Sequence, residues 1–184
     1  MARVPYRDKD SLPDEYKNLL TRPINLFRAL ANSPGALKVH HDFGEWIRWE
    51  CNLDPKLREQ IILLVGLIHR SPYEFSHHVQ IARDSFGVTS DEIWDLIAFS
   101  EGKATTKFSP AVITALKVTN EIAKGLNVDD RTWAAAAAHF NDEQLIDISA
   151  IASFYLYVVS FLASARVDVE PEWQVYLDEF ARDW

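Results

Sequence analysis

The sequence predicts an all-α domain, a helical bundle built around a central helix hairpin, and three observations carry that expectation. Ser33-Pro34, Asp54-Pro55, Ser71-Pro72 and Ser109-Pro110 each place a capping side chain before a proline at the first helical position, where the missing N–H costs nothing. Thr89-Ser-Asp-Glu92 and Asn141-Asp-Glu-Gln144 are capping boxes, in which the third residue reaches back to the N–H of the cap. The segments opened by these signals carry apolar residues at helical spacing, such as Leu57, Ile61, Leu64, Val65 and Ile68, or Ile93, Leu96 and Ile97.

Taken in order, an N-terminal arm over residues 1–24 precedes a single domain over 25–184, since no linker rich in Gly, Ser or Pro divides the chain. Helices are expected near 25–32, 35–50 after Ser33-Pro34, 55–69 after Asp54-Pro55, and 72–86 after Ser71-Pro72. Further helices follow near 90–99 and 110–124, then near 129–139, where Ala134 to Ala138 beside Trp133 reads as a close-packing face. The last two fall near 142–166 and 172–181. Gly87, Gly102 and Gly125 stand just after helical stretches, as C-terminal stops do. Phe43, Trp46 and Trp49 form an aromatic stripe expected in a core or an interface.

The 184 residues include 27 acidic and 19 basic side chains, a formal charge of −8, with 48% hydrophobic and 12% aromatic residues. A chain so composed folds around a real core. Net negative charge without a Lys/Arg cluster argues against nucleic acid and an anionic membrane surface as partners. Cys51 is the only cysteine, so an internal disulfide and a cysteine zinc cluster are excluded, and a reducing cytoplasm is the expected compartment. Ile148 to Ala165 has no charged residue. Its serines, its two tyrosines and the absence of a basic flank favour a core or interface helix over a membrane span.

The chemistry concentrates between Leu57 and Val79. Glu74 and His78 are four residues apart on one helix face, where a carboxylate orients an imidazole and raises its pKa into a range useful for proton transfer. The connection at Arg70-Ser71 is very short, and if it folds the two helices into an antiparallel hairpin, Glu59 joins the same cluster. Ser71-Pro-Tyr-Glu74 is also a well-formed capping box, so both residues have a purely structural reading. Glu59 reads either as a buried carboxylate in need of a partner or as a solvated first-turn glutamate favoured by the helix dipole. Glu74-Phe-Ser-His77 has the Glu-x-x-His form of di-iron bundles but lacks a second copy, and His40-His41 and His77-His78 do not chelate as i and i+4 residues do, so no metal is expected.

At these residues the sequence resembles the carboxymuconolactone decarboxylase and alkylhydroperoxidase D-like (AhpD-like) superfamily. The matching pattern is Glu59, a helix N-terminus at Ser71 twelve residues on, and His78 seven further, with Arg70-Ser-Pro-Tyr-Glu-Phe-Ser-His-His-Val79 and Gly87-Val-Thr-Ser-Asp-Glu-Ile93 resembling the decarboxylase-like branch. The resemblance implies an all-α AhpD-like bundle that assembles as a trimer or hexamer. In the redox branch two cysteines occupy the positions of Ser71 and Glu74; this chain lacks that dithiol, so peroxide reduction by paired thiols is chemically closed to it.

The expectation is therefore a cofactor-free acid–base enzyme, of decarboxylase, isomerase or related lyase type, acting on a small lactone or unsaturated carboxylic acid. Glu59, Glu74 and His78 are the expected catalytic groups, with Ser71, Tyr73 and Arg70 binding substrate and Arg70 attracting its carboxylate. Two other readings stand beside it: a non-catalytic oligomeric binding or structural protein, and a peroxidase. A cavity open to small molecules at Glu59 and His78 would separate the first two.

Overall fold

The local helix signals are realised in the computed structural model, which describes all of Met1–Trp184. The helices are α1 (Asn25–Leu30), α2 (Pro34–Trp49), α3 (Pro55–Ile68), α4 (Pro72–Phe86), α5 (Ser90–Ser100), α6 (Pro110–Gly125), α7 (Asp130–Ala137), α8 (Asp142–Ala165) and α9 (Gln174–Phe180), and there is no strand. Short 3₁₀ helices cover Lys9–Ser11, Asp14–Leu20 and Pro171–Trp173.

Asp54 and Ser109 cap their helices by accepting from Leu57 N at 3.0 Å and Val112 N at 3.3 Å, and both capping boxes close as expected. Ser33 and Ser71 are corrections, because neither side chain makes a capping bond. There the proline alone preforms the first turn. Gly87 ends α4 in the left-handed region with φ 66°, and Gly102 follows α5 with φ 80°. Gly125 is instead the last residue of α6, and Leu126 takes the left-handed position.

Eleven consecutive residues of α3, Leu57 to Leu67, are buried. A helix apolar on nearly every side belongs at the centre of a bundle, and α3 packs against α4, α5, α6 and α8. Its hairpin with α4 is tight: Arg70 N donates to Leu67 O and Ser71 N to Gly66 O, with Arg70 in the left-handed region at φ 45°. At Gly66 the two helices approach closely, since a Cβ there would lie 3.4 Å from Phe75 N and 3.5 Å from its Cα.

The core has three parts. One joins α2, α3, α6, α7 and α8 around Ile61, Ile62, Val118 and Ile151; another joins α3 to α4, α5, α6 and α9 around Leu64, Phe75, Ile93 and Leu116. The third lies beneath the arm, where Leu12, Leu19 and Leu20 meet Leu37, Tyr73, Val158 and Leu162. The 1–24 arm is thus packed onto the domain. Helix α8 is long and apolar enough to cross a membrane by length and composition alone. Here it sets Leu145, Ile148, Ile151, Ala152, Val159 and Leu162 into the core. Phe43 and Trp46 pack against the core, whereas Trp49 is 73% exposed.

The close approach at Gly66 yields a test. Gly66→Ala should stay within about 1 kcal/mol of the parent, because better helix propensity offsets a snug contact. Gly66→Leu should lose about 1–3 kcal/mol by wedging the hairpin apart. Urea unfolding of the two variants measures this, and a leucine variant as stable as the parent would remove the constraint.

Candidate active site

Asp54 and Pro55 start α3 so that Arg58 and Glu59 leave its second turn on the side of α2 and α4. Arg58 donates to the carbonyls of Ile47 at 2.9 Å and Arg48 at 3.0 Å, capping the C-terminal end of α2, and its guanidinium lies 4.9 Å from the Phe86 ring centroid. Glu59, 3% exposed, places one oxygen 3.7 Å from Arg58 Nε and the other 2.7 Å from His78 Nδ1. On α4, Glu74 is also 3% exposed and places Oε1 3.0 Å from His78 Nε2. His78 thus lies between two carboxylates, and only an imidazolium can donate to both.

Burial alone would lower the pKa of His78, but the Glu59 and Glu74 carboxylates outweigh it and push it up to about 9. Tyr155 of α8 turns its ring edge-on to the imidazole at a centroid distance of 5.2 Å. Burial first, then the charges of Glu74 and Glu59, raise its hydroxyl well above the ordinary phenol range, so it stays protonated.

These groups border a cavity of about 280 Å³. Its walls come from the arm, α1, α2, α3, α4 and α8, mixing apolar surface from Ile62, Ile81, Phe86 and Phe154 with Arg22, Arg48 and Arg58. Arg48 pairs with Glu45 at 3.1 Å, while Arg22 has no ion-pair or hydrogen-bond partner. Partial burial and then the Arg48 charge pull the Arg22 pKa down, and it remains a cation at neutral pH.

A second polar group closes one side. Tyr73 Oη donates to Glu170 at 3.1 Å and accepts from Leu26 N at 3.0 Å, and Asn25 N donates to the same Glu170 oxygen at 2.6 Å. His77 Nδ1 donates to the Tyr73 carbonyl at 2.9 Å, and its Nε2 faces the other Glu170 oxygen at 3.1 Å. Its ring stacks between Tyr73 and Trp173. His77 is turned to this network rather than to Glu74, and no group of three or more His, Cys, Asp and Glu side chains is placed to hold a metal ion.

Glu59, Glu74 and His78 therefore meet, and Tyr73 borders the same cavity with its hydroxyl already engaged. Arg70 and Ser71 do not border it, which corrects their expected place beside the substrate. The hairpin turn carries Arg70 to a different cavity of about 180 Å³ shared with Lys124 and Trp184, and Ser71 is buried in the turn. The capping box of Ser71 and Glu74 stays open because Glu74 is drawn to His78. Sequence reasoning missed Arg22, Arg48, Tyr155 and His40 at the cavity. Only His40 carried a signal, since it shares the inward register of α2 with Leu37 and Ile47.

The model of the carboxymuconolactone decarboxylase family matches residues 34–121, a stretch that holds Glu59, Glu74 and His78. Over this stretch, just under half of its length, the chain is similar to the carboxymuconolactone decarboxylase family. No curated protein matches the sequence. Solved structures share the fold of this chain across nearly its whole length. An alkylhydroperoxidase AhpD core, an uncharacterized peroxidase-related protein from Ralstonia eutropha JMP134, has a TM-score of 0.81 at 18% identity, covering 96% of this chain and 95% of that one. The debrominase Bmp8 in complex with 2,3,4-tribromopyrrole has 0.76 at 17%, covering 89% and 86%. An uncharacterized peroxidase-related protein from Silicibacter sp. TM1040 has 0.77 at 16%, covering 93% and 92%. The chain is thus AhpD-like in fold, and at such identities the likeness concerns the fold alone.

The raised pKa of His78 sets a pH dependence. Its contribution to stability is fully present below the unfolded value of about 6.5 and is lost as pH rises through about 9, a change on the order of a few kcal/mol. Urea unfolding between pH 6 and 9.5 should show this fall in the parent and not in His78→Gln. Parallel profiles for the two would contradict a protonated His78.

Proposed function

We propose that this protein is an acid–base enzyme that needs no cofactor and acts on a small unsaturated or lactone-bearing carboxylic acid, by decarboxylation, isomerisation or a related lyase reaction. The observation that carries the reading is an imidazolium held between two buried carboxylates at the wall of an open cavity. A cluster that only pinned two helices together would need no such space beside it.

His78 lies between Glu59 and Glu74 in an apolar wall, so either carboxylate accepts a proton from substrate carbon with little solvent reorganisation. In a decarboxylation the carbon–carbon bond breaks, carbon dioxide leaves, and the electron pair remains as a dienolate. The cluster then delivers a proton to carbon, drawn from His78 through its carboxylate partner, and a proton from water restores the imidazolium. In an isomerisation the same proton leaves one carbon and rejoins another.

Arg22 and Arg48 supply the local positive charge that an anionic substrate needs in a chain of net charge −8. The walls of Phe86, Phe154 and Tyr155 suit a planar unsaturated body. A debrominase of the same fold has been crystallised with 2,3,4-tribromopyrrole, a small planar ring, which agrees with a ligand of this shape. Dithiol peroxide reduction lacks support, because Ser71 and Glu74 stand at the positions of the paired thiols, and Cys51 donates to the Ile47 carbonyl on α2 without bordering the cavity. The reading includes a soluble, cytoplasmic setting.

A panel of lactones and unsaturated acids, followed by ultraviolet absorbance and carbon dioxide release, provides the test. Glu59→Gln and His78→Gln should each lower kcat/KM by about a hundredfold or more on the active compound. Unchanged turnover in both, with the fold intact by circular dichroism, overturns the assignment. Arg22→Ala should raise KM for the acid roughly tenfold while leaving KM for its primary amide unchanged. Equal effects on acid and amide would remove Arg22 from carboxylate recognition.

A further inference from the structure

Among the imidazoles at the cavity, His40 is deeply buried and makes no side-chain hydrogen bond. It lies on the inward register of α2, is 7% exposed, and packs against Phe27, Phe154 and Tyr157 at ring-centroid distances of 5.6, 5.1 and 6.1 Å. It borders the cavity, yet neither ring nitrogen has a hydrogen-bond partner, and Nδ1 is completely buried. His78 is engaged by two carboxylates, and His77 donates through Nδ1 to the Tyr73 carbonyl; His41, which is more exposed than His40, has Nδ1 unpaired as well, 3.7 Å from an Asp42 oxygen.

An unpaired buried polar group destabilises a fold by about 1–3 kcal/mol. A leucine or phenylalanine would fill the same space without that cost.

We propose that His40 donates a hydrogen bond to the carbonyl oxygen of the substrate and holds the enolate or dienolate oxygen that forms when the proton or carbon dioxide leaves. The proposal rests on the acid–base reading and adds to it the electrophilic half of the site. Its protonation state suits the task. Burial pushes its pKa down to about 4 against the pull of Glu74, so at neutral pH it is an uncharged imidazole with one N–H to donate. An uncharged donor is not captured by the neighbouring carboxylates, as an imidazolium would be, and it strengthens as negative charge grows on the oxygen it meets. The step balances: a C–H or C–C bond breaks, its electron pair moves onto the carbonyl oxygen, the proton goes to a carboxylate oxygen or carbon dioxide departs, and His40 keeps its own proton.

The test uses the full-length protein and 4-nitrophenol, whose phenolate mimics a dienolate and reports its ionisation by colour. In ¹⁵N–¹H spectra of the free protein, His40 should be a single neutral tautomer at pH 7 that begins to titrate only near pH 4. Bound phenolate should move the His40 ring N–H proton downfield while the His78 signals remain those of an imidazolium. Affinity should fall roughly tenfold in His40→Phe and recover in His40→Gln, which retains an N–H donor. An unmoved His40 N–H in the bound parent, equal affinity in His40→Phe, or no binding by the parent overturns the proposal. If the phenolate binds through His40 while no compound of the acid panel turns over, the acid–base reading fails and the oxyanion site stands. If Glu59→Gln and His78→Gln abolish turnover while His40→Phe retains kcat, the reverse holds.

Discussion

Two carboxylates from adjacent helices are buried at the centre of this bundle, and the rest of the site depends on the imidazolium between them. Glu59 and Glu74 would each be expensive to remove from water alone. His78 engages both, and Arg58 stands beside Glu59 to complete a group in which two negative charges meet two positive ones. That balance lets α3 remain apolar on nearly all other sides while it carries charge near its start. Arg58 earns its place twice, since it also caps the end of α2 and so fixes the helix that bears His40 and Arg48.

The cavity draws its walls from well-separated parts of the chain, and the C-terminal segment backs one of them. The arm contributes Leu19, Thr21, Arg22 and Ile24, and the segment after α8 contributes Glu170 behind Tyr73 and His77. Asn25 N, Leu26 N, Tyr73 and Glu170 form one hydrogen-bonded group that joins the start of α1 to α4 and to the C-terminal segment. The family match covers residues 34–121, so it leaves out α1, α8 and every member of this group except Tyr73. The central hairpin therefore supplies the charged cluster, while the flanking segments shape the space in front of it.

What was legible in the sequence was what helix geometry makes local. Capping residues, prolines at first positions and 3.6-residue spacing each act within one or two turns, and they located the helices closely. The Glu74–His78 pair follows from one turn of helix, and Glu59 joins it because the hairpin connection is too short to permit another arrangement. Ser71 and Glu74 were ambiguous because a capping box and a buried ion pair demand the same residue types at the same spacing. The choice depends on His78 drawing Glu74 inward, a contact that the box pattern does not encode. Arg70 was misplaced for a related reason: charge and proximity in sequence suggested a role, but it follows the C-terminal end of α3, whereas the α3 residues that line the cavity, Arg58, Glu59 and Ile62, lie near the start of that helix. Arg22 and Glu170 reach their places through contacts spanning dozens of residues, where no periodicity operates.

The connection between α3 and α4 has no slack. Ser71 N donates to Gly66 O within the turn, and Gly66 lies against the backbone of Phe75. Each residue of an α-helix turns about 100° around its axis. One residue inserted between His69 and Ser71 would rotate His78 away from Glu59 while leaving both helices intact. Such a hairpin can acquire new chemistry by exchanging side chains at positions like 71 and 74, as the contrast with a dithiol branch suggests, but it cannot do so by changing length. In evolutionary terms the scaffold is open to substitution and closed to insertion, so divergence among proteins built this way should be sought in residue identity at a fixed count.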